Sequence, residues 1–304
     1  MKNFRDKSKI CGHAGSRNRG FSISQIKWIA LIAMTIDHLA AYGFEIPVFG
    51  AHFNTLRIIG RIAAPLFFFA LTESVKHTRS RKRFLLRLYF GAVGTGLFVA
   101  ITNVLFHDSI GRFSQSNILC DYIYTALYIV LIEYMIEGIR SKQWKRSLLA
   151  VAGILATGIP HVIVWWIYEF PYGKYGFSPE TVWTIQDFAG SFVFSPLAAE
   201  YTILFVIMGI LMYFAGNKYG KAAVLVLFSC LCYFGGKKAI LNHFFFLPIF
   251  GYPQYYMIFA VPFILLYNGE KGRGSKYFFY VYYPVHRYVI AVAVFVYRWM
   301  SDFI

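Results

Sequence analysis

The chain has 304 residues, 58% of them hydrophobic and only 14% charged, with a mean hydropathy of +0.53. Soluble domains run nearer about 45–50% apolar and about 25% charged, so a water-soluble globular domain is excluded. A net charge of +16, from 30 Lys and Arg against 14 Asp and Glu, would suit nucleic acid if the basic residues formed one face. They fall instead in alternate loops between apolar stretches, which is the cytoplasmic bias of a membrane protein, and no nucleic-acid partner is expected.

Residues 1–22 form a polar, basic tail (Lys2, Arg5, Lys7, Lys9, Arg17, Arg19), expected to be disordered and held in the cytoplasm by its charge. It lacks the apolar region and small-residue cleavage site of a signal peptide. From 23 to 304 the chain reads as one integral membrane domain, without a long linker or repeat.

Apolar spans fall at 23–44, 56–75, 84–106, 118–137, 147–168, 192–215, 222–250, 252–267 and 277–298. Stretches of about 20 residues suit transmembrane helices, whereas a β-barrel would alternate apolar and polar residues over segments of about ten. The fold class is therefore all-α: a polytopic protein with nine spans, or eight to ten allowing for one irregular region. That region is the seventh run, where Gly235, Gly236, Lys237 and Lys238 predict a broken helix or two shorter elements.

Basic loops follow spans two (Lys76, Arg79, Arg81, Lys82, Arg83, Arg87), four (Arg140, Lys142, Lys145, Arg146), six (Lys218, Lys221) and eight (Lys271, Arg273, Lys276). The intervening loops carry few: residues 45–55 have no Lys or Arg, and 169–190 set one Lys against Glu169, Glu180 and Asp187. This alternation places the N-terminus in the cytoplasm and the C-terminus outside.

Ionisable residues inside apolar spans are costly, so each is a candidate functional group. Lys27 and His38 stand eleven residues apart in span one. At about 100° per residue they share a face, separated by about 16 Å along the helix. His38 lies some fifteen residues into the span, about 22 Å from its cytoplasmic start. Asp37, about 100° round the helix, is better placed to pair with Arg57 and Arg61, four apart near the outer end of span two. His286, in YYPVHRYVI of the last span, follows the helix-loosening Pro284. Glu73, Glu133, His161, Glu200 and His243 also lie in or near spans; taken singly, each reads as interfacial or packed. So does an isolated His or Arg near a helix end, and it is the convergence of Asp37, His38, Arg57 and Arg61 at one depth that favours a site. The aromatic content of 20% reads as interfacial belts and core packing.

The four cysteines, Cys11, Cys120, Cys230 and Cys232, show neither a disulfide framework nor metal-ligand spacing, and no metal is predicted. Phosphate-binding glycine loops and nucleophile elbows are absent too. The layout that remains is a cationic cytoplasmic mouth, Lys27 with Arg79, Arg81, Lys82 and Arg83, and an imidazole toward the other face. It suits a long phosphate-bearing thioester such as acetyl-coenzyme A, its phosphates at the mouth and its arm along span one. His38 would then act as general base on an acceptor amine or hydroxyl, with Arg57 or Arg61 at the oxyanion. A proton-coupled transporter using the same His, Asp and Arg cluster is the alternative.

The segments KWIALIAMTIDHLAAYGF and LRIIGRIAAPLFFFALTESVKHTRSRKRFLLRL resemble the N-terminal signature of the TraX family. QYYMIFAVPFILLYNGEKG and KYFFYVYYPVHRYVI resemble its closing signature. The founding member of that family acetylates the N-terminus of conjugative pilin. The family is similar to a wider group of transmembrane acyltransferases, in which polysaccharide O-acetylating enzymes carry Arg or Lys, ten residues, then a catalytic His in the first helix; Lys27 and His38 match that pattern. The resemblance implies acetyl transfer from acetyl-coenzyme A at an inner membrane, with His38 as base and Arg57, Arg61 and His286 as further site residues. It fades between about 107 and 250, which leaves the acceptor, a peptide N-terminus or an envelope glycan, open.

Overall fold

The computed structural model describes residues 20–114, 117–168, 176–196, 200–237, 253–274 and 278–301. The basic tail to residue 19, Cys11, Glu169, Lys238, His243 and Lys276 lie outside them. Among the described residues the architecture is all-helical, with one isolated backbone bridge, Phe21 to Tyr267.

Helix α1 (Ile23–Tyr42) starts at a capping box: Ser22 accepts from the Gln25 amide while the Gln25 side chain accepts from the Ser22 amide. The next two amides of its first turn, which have no partner within a helix, donate to the carbonyls of Glu270 (2.9 Å) and Lys271 (3.1 Å). Gly272 has φ +70°, and a Cβ there would lie 2.3 Å from Ser22 Oγ, so only glycine lets this loop close over the helix start.

Short α2 (Pro47–Ala51) leads to α3 (Phe53–Gly60) and α4 (Ala63–His77). A turn at Arg61 and Ile62 separates α3 from α4 within one 25-residue apolar span. Then come α5 (Arg81–Ile110), α6 (Ile118–Arg140), α7 (Trp144–Ala156), α8 (Gly158–Tyr168), α9 (Pro179–Gly190), α10 (Thr202–Phe214) and α11 (Lys218–Lys237). A 3-10 helix, Pro253–Ala260, runs into α12 (Val261–Leu265), and α13 (Phe278–Ser301) closes the chain.

Six described helical segments are long and apolar enough to cross a membrane: Phe53–His77, Arg81–Phe106, Ile118–Arg140, Trp144–Ile167, Lys218–Gly235 and Phe278–Ser301. This is an integral membrane protein. Helix α1 has the length, 20 residues, but Lys27, Asp37 and His38 lower its hydropathy and it is not among the six.

The predicted sixth and eighth spans are shorter than expected. The helix within 192–215 begins only at Thr202, and the described part of 252–267 is a 3-10 helix, Pro253–Ala260, followed by one turn of α-helix. Helix α11 runs through Gly235 and Gly236 to Lys237, so any break in the seventh run lies beyond the described residues.

Both short segments begin inside the bundle and end at one face. Tyr201, just before α10, bonds Asp121 near the start of α6, and Tyr213 at its far end bonds Glu133. At 13 residues, α10 is about 20 Å long against a hydrocarbon layer of about 30 Å. Gln254 of the 3-10 helix meets Arg61, while Tyr267 beyond α12 sits beside Phe21 at the start of α1. That shared face gathers the start of α1, the ends of α4, α6 and α10, the starts of α5 and α11, and the 266–274 loop. It therefore carries all the described basic loops.

Helix α4 is the centre of the core. Leu66, Phe68 and Phe69 are fully buried against Ile26 and Ala30 of α1, Ile129 of α6, Phe205 and Met208 of α10, and Met257. Helices α1 and α13 run parallel. Trp28 meets Phe278, Thr35 meets Tyr282, and His38 meets His286 in ascending order along both.

Candidate functional site

The parallel pairing of α1 with α13 sets two histidines against each other, His38 Nδ1 lying 2.7 Å from His286 Nε2. The other nitrogen of His286, Nδ1, is 2.9 Å from the carbonyl oxygen of Tyr282. A carbonyl only accepts, so His286 Nδ1 carries a proton and, with the ring neutral, its Nε2 is an acceptor. His38 Nδ1 must then donate to it, which leaves the lone pair of His38 on Nε2, away from the pair. The same bond persists if His38 takes a second proton.

The His286 ring stacks on Tyr282, centroids 5.1 Å apart and planes within 5°. Thr35 donates to the Leu31 carbonyl (2.8 Å), so the Tyr282 hydroxyl, 2.6 Å away, donates to Thr35 Oγ1. The orientation of His38 is thus fixed through three side chains of α1 and α13. His38 itself keeps partial exposure.

On the other side of α1, Asp37 is buried and takes one bond on each oxygen, from Arg57 Nη1 (2.6 Å) and Arg61 Nη2 (2.5 Å). Arg61 also donates to Gln254 (3.1 Å), tying the 3-10 helix to the cluster. The close approach needs Gly60: a Cβ there would fall 2.2 Å from Asp37 Oδ1. Two guanidiniums around one carboxylate leave excess positive charge, and both lie within electrostatic reach of His38.

Beyond the histidines is a second cluster. The Tyr283 hydroxyl donates to Glu200 (2.8 Å) and accepts from the Ile118 amide (2.9 Å) at the start of α6. Asp121 is fully buried and accepts from the Tyr201 amide (3.3 Å). Arg287 donates to the Tyr42 hydroxyl (3.0 Å) and lies within electrostatic reach of Glu200. Sequence reasoning passes over Asp121, Tyr282, Tyr283 and Arg287 and reads Glu200 as packing. For Asp121 the signal is present, a carboxylate inside an apolar span, the same signal that singles out His38.

The expected cationic mouth is only partly assembled. Lys27 faces Lys271 of the loop over α1, at the basic face. Arg79, Lys82 and Arg83 are exposed there, whereas Arg81 turns inward to Glu133 (3.2 Å), the Tyr213 hydroxyl (3.1 Å) and the Val75 carbonyl. Two open clefts mark this face. One of about 480 Å³ is lined by Glu73, Lys76, His77, Lys218 and Tyr267, and one of about 790 Å³ by Lys76, Glu133, Arg140 and Tyr213. Of the remaining polar residues, Glu73 pairs with buried Lys221, and His161 bonds Ser195 (2.7 Å). Among the described residues no three His, Cys, Asp or Glu side chains are grouped to hold a metal ion.

Chemically, the arrangement presents an oriented imidazole lone pair with a guanidinium pair and two carboxyl groups nearby. A family model described as TraX protein matches residues 22–173, half of the chain, including all of α1 to α4. Over 78 residues the chain is 40% identical to the "Probable fimbrial assembly protein FimC, serogroup H1" of Dichelobacter nodosus, a match covering 26% of this chain and 31% of that protein. The chain thus spans about a third of the length of that curated relative. No solved structure matches. Through the segment that carries Lys27, Asp37, His38, Arg57 and Arg61, the chain belongs to the TraX family.

Proposed function

We propose that this chain is an inner-membrane acyltransferase that moves an acyl group, acetyl from cytoplasmic acetyl-coenzyme A, onto an amine or hydroxyl of an envelope-associated acceptor. The acceptor is a peptide or pilin N-terminus or a glycan. The observation that carries this reading is the His38–His286 hydrogen bond, which leaves His38 Nε2 as an oriented base at partial exposure.

In this account the N-terminus is cytoplasmic and the chain crosses nine times, with α10 and the 253–265 segment as shortened crossings. The acyl donor is a substrate that enters from the basic face, where Lys27, Arg79, Lys82 and Arg83 attract its phosphates. Arg81 serves that face through its ion pair with Glu133. His38 lies about 22 Å from that end of α1, a span that a coenzyme arm and its nucleotide can bridge.

His38 Nε2 takes the proton of the attacking N–H or O–H as the new bond to the carbonyl carbon forms. The carbonyl electron pair moves onto oxygen, where Arg57 and Arg61 supply positive charge. Collapse breaks the carbon–sulfur bond, and the departing thiolate takes the proton back from His38. His286 and Asp37 are positioning residues: one holds the imidazole, the other the two guanidiniums.

Purified protein in lipid nanodiscs, given acetyl-labelled coenzyme A and crude envelope extract, tests this directly. Label should appear covalently in the acceptor fraction. Proton-coupled uptake in liposomes without any label transfer would instead establish the transporter.

A further inference from the structure

His38 Nε2 can take a proton, but a tetrahedral intermediate also needs a hydrogen-bond donor aimed at the former carbonyl oxygen. Arg57 and Arg61 bring charge to the site, yet they spend N–H groups on Asp37 and Gln254, and Asp37 lies about 100° round α1 from His38. The face of α1 that carries His38 offers another group. Tyr42, four residues on and so one turn further along that face, sets its ring centroid 5.9 Å from that of His38. Both side chains keep partial exposure.

The Tyr42 hydroxyl is oriented. Arg287 Nε donates to its oxygen at 3.0 Å, and a guanidinium cannot accept, so the hydroxyl hydrogen is directed elsewhere. Among the described residues no group accepts it. A hydroxyl that has accepted a bond from a cation is polarised and gives a stronger bond in turn. The ring is held as well. Phe113 packs 5.6 Å from Tyr42 and 4.3 Å from Tyr288, with the Arg287 guanidinium 5.7 Å over its own ring. Buried Asn103 pins the Phe113 backbone in both directions, accepting from its amide (2.8 Å) and donating to its carbonyl (3.0 Å). Phe113 and Tyr288 belong to a small apolar cluster apart from the main core, and Tyr42 packs against it. Tyr42 is thus clamped between α13 and the 111–114 segment beside the imidazole.

We propose that Tyr42 is a catalytic residue of this site, its hydroxyl donating to the acyl carbonyl oxygen as that oxygen becomes an oxyanion, with Arg287 as its positioning residue. This rests on the acyl-transfer reading above. As the acceptor bonds to the carbonyl carbon, the C=O electron pair moves onto oxygen and the bond from Tyr42 tightens. When the carbon–sulfur bond breaks, the pair returns and the bond relaxes; no proton leaves Tyr42. One face of α1 then supplies both the base and the oxyanion donor, while Arg57 and Arg61 act through their field.

The test is steady-state transfer from labelled acetyl-coenzyme A to envelope acceptor by the full chain in nanodiscs, each variant checked for folding by size exclusion. Tyr42→Phe keeps the ring and removes only the hydroxyl. Its kcat should fall at least about a hundredfold, with KM for acetyl-coenzyme A within about twofold. Arg287→Met should also lower kcat, and Arg287→Lys, which still offers a donor to the Tyr42 oxygen, should recover part of it. Because Arg287 acts through the hydroxyl, the double variant Tyr42→Phe with Arg287→Met should be within about threefold of Tyr42→Phe alone. A Tyr42→Phe kcat within about threefold of wild type, or losses that multiply in full in the double variant, overturns the proposal and leaves acyl transfer with His38 as base intact. If Tyr42→Phe does not fold, Phe113→Leu decides: it keeps the hydroxyl but loosens the ring, and an unchanged kcat overturns the proposal. Absence of transfer by wild type to any acceptor overturns the acyl-transfer reading itself.

Discussion

Replacing Asp37 with Asn keeps the shape of the side chain and removes its charge. The carboxylate takes a charge-assisted bond on each oxygen, from Arg57 at 2.6 Å and Arg61 at 2.5 Å, with side-chain exposures of only 11% for Asp37, 20% for Arg57 and 11% for Arg61. Asn offers one acceptor oxygen, so one guanidinium loses its bond and both lose the balancing charge. Breaking a buried pair by removing one partner costs about 3–5 kcal/mol. The partial exposure of Arg57 favours the lower end, about 3 kcal/mol, a shift of roughly 150-fold in the folding equilibrium. Removing one guanidinium leaves the carboxylate its other partner, so Arg57→Gln and Arg61→Gln should each cost less than Asp37→Asn. Arg61→Gln should cost more than Arg57→Gln, because it also releases Gln254. Equilibrium unfolding in mixed micelles, followed by tryptophan fluorescence, gives all three values. An Asp37→Asn protein within about 0.5 kcal/mol of wild type would mean that the Asp37–Arg57–Arg61 cluster does not hold the fold, since that is the range of substitutions away from any buried network.

Three further outcomes follow from the geometry. His286→Ala should lower kcat about a hundredfold, and His286→Gln, which still offers an acceptor to His38 Nδ1, should recover part of it and restore the wild-type pH profile in steady-state assays. Gly60→Ala places a methyl group 2.2 Å from Asp37 Oδ1 and should cost about 1–3 kcal/mol in the same unfolding assay. With the four native cysteines replaced, a cysteine at position 79 should react with membrane-permeant thiol reagents only; labelling from outside intact cells would reverse the orientation.

The pairing of Asp37 with Arg57 and Arg61 is legible in the sequence because it depends on depth and charge alone. Three costly groups near the same end of neighbouring helices have few other ways to be neutralised. His38 and His286 are each visible as polar residues in apolar spans. That they touch depends on α13 running parallel to α1 at matched depth, a tertiary fact across 248 residues that no local pattern encodes. The depth of α10 and of the 253–265 segment is hidden for a related reason. Apolar composition marks a segment as membrane-embedded, but what sets how far it reaches is where a partner such as Asp121 or Arg61 meets its end. Arg81 shows the limit of reading charge by rows: it sits among exposed basic residues in the chain, yet Glu133 and Tyr213 draw it inward.

Acyl transfer with His38 as base is decided by the rate at which purified wild-type protein and His38→Ala move label from acetyl-coenzyme A to acceptor, both checked for folding by size exclusion. Wild type should transfer label, and the variant should lose at least about a hundredfold. Equal transfer by the two proteins would exclude His38 as the base.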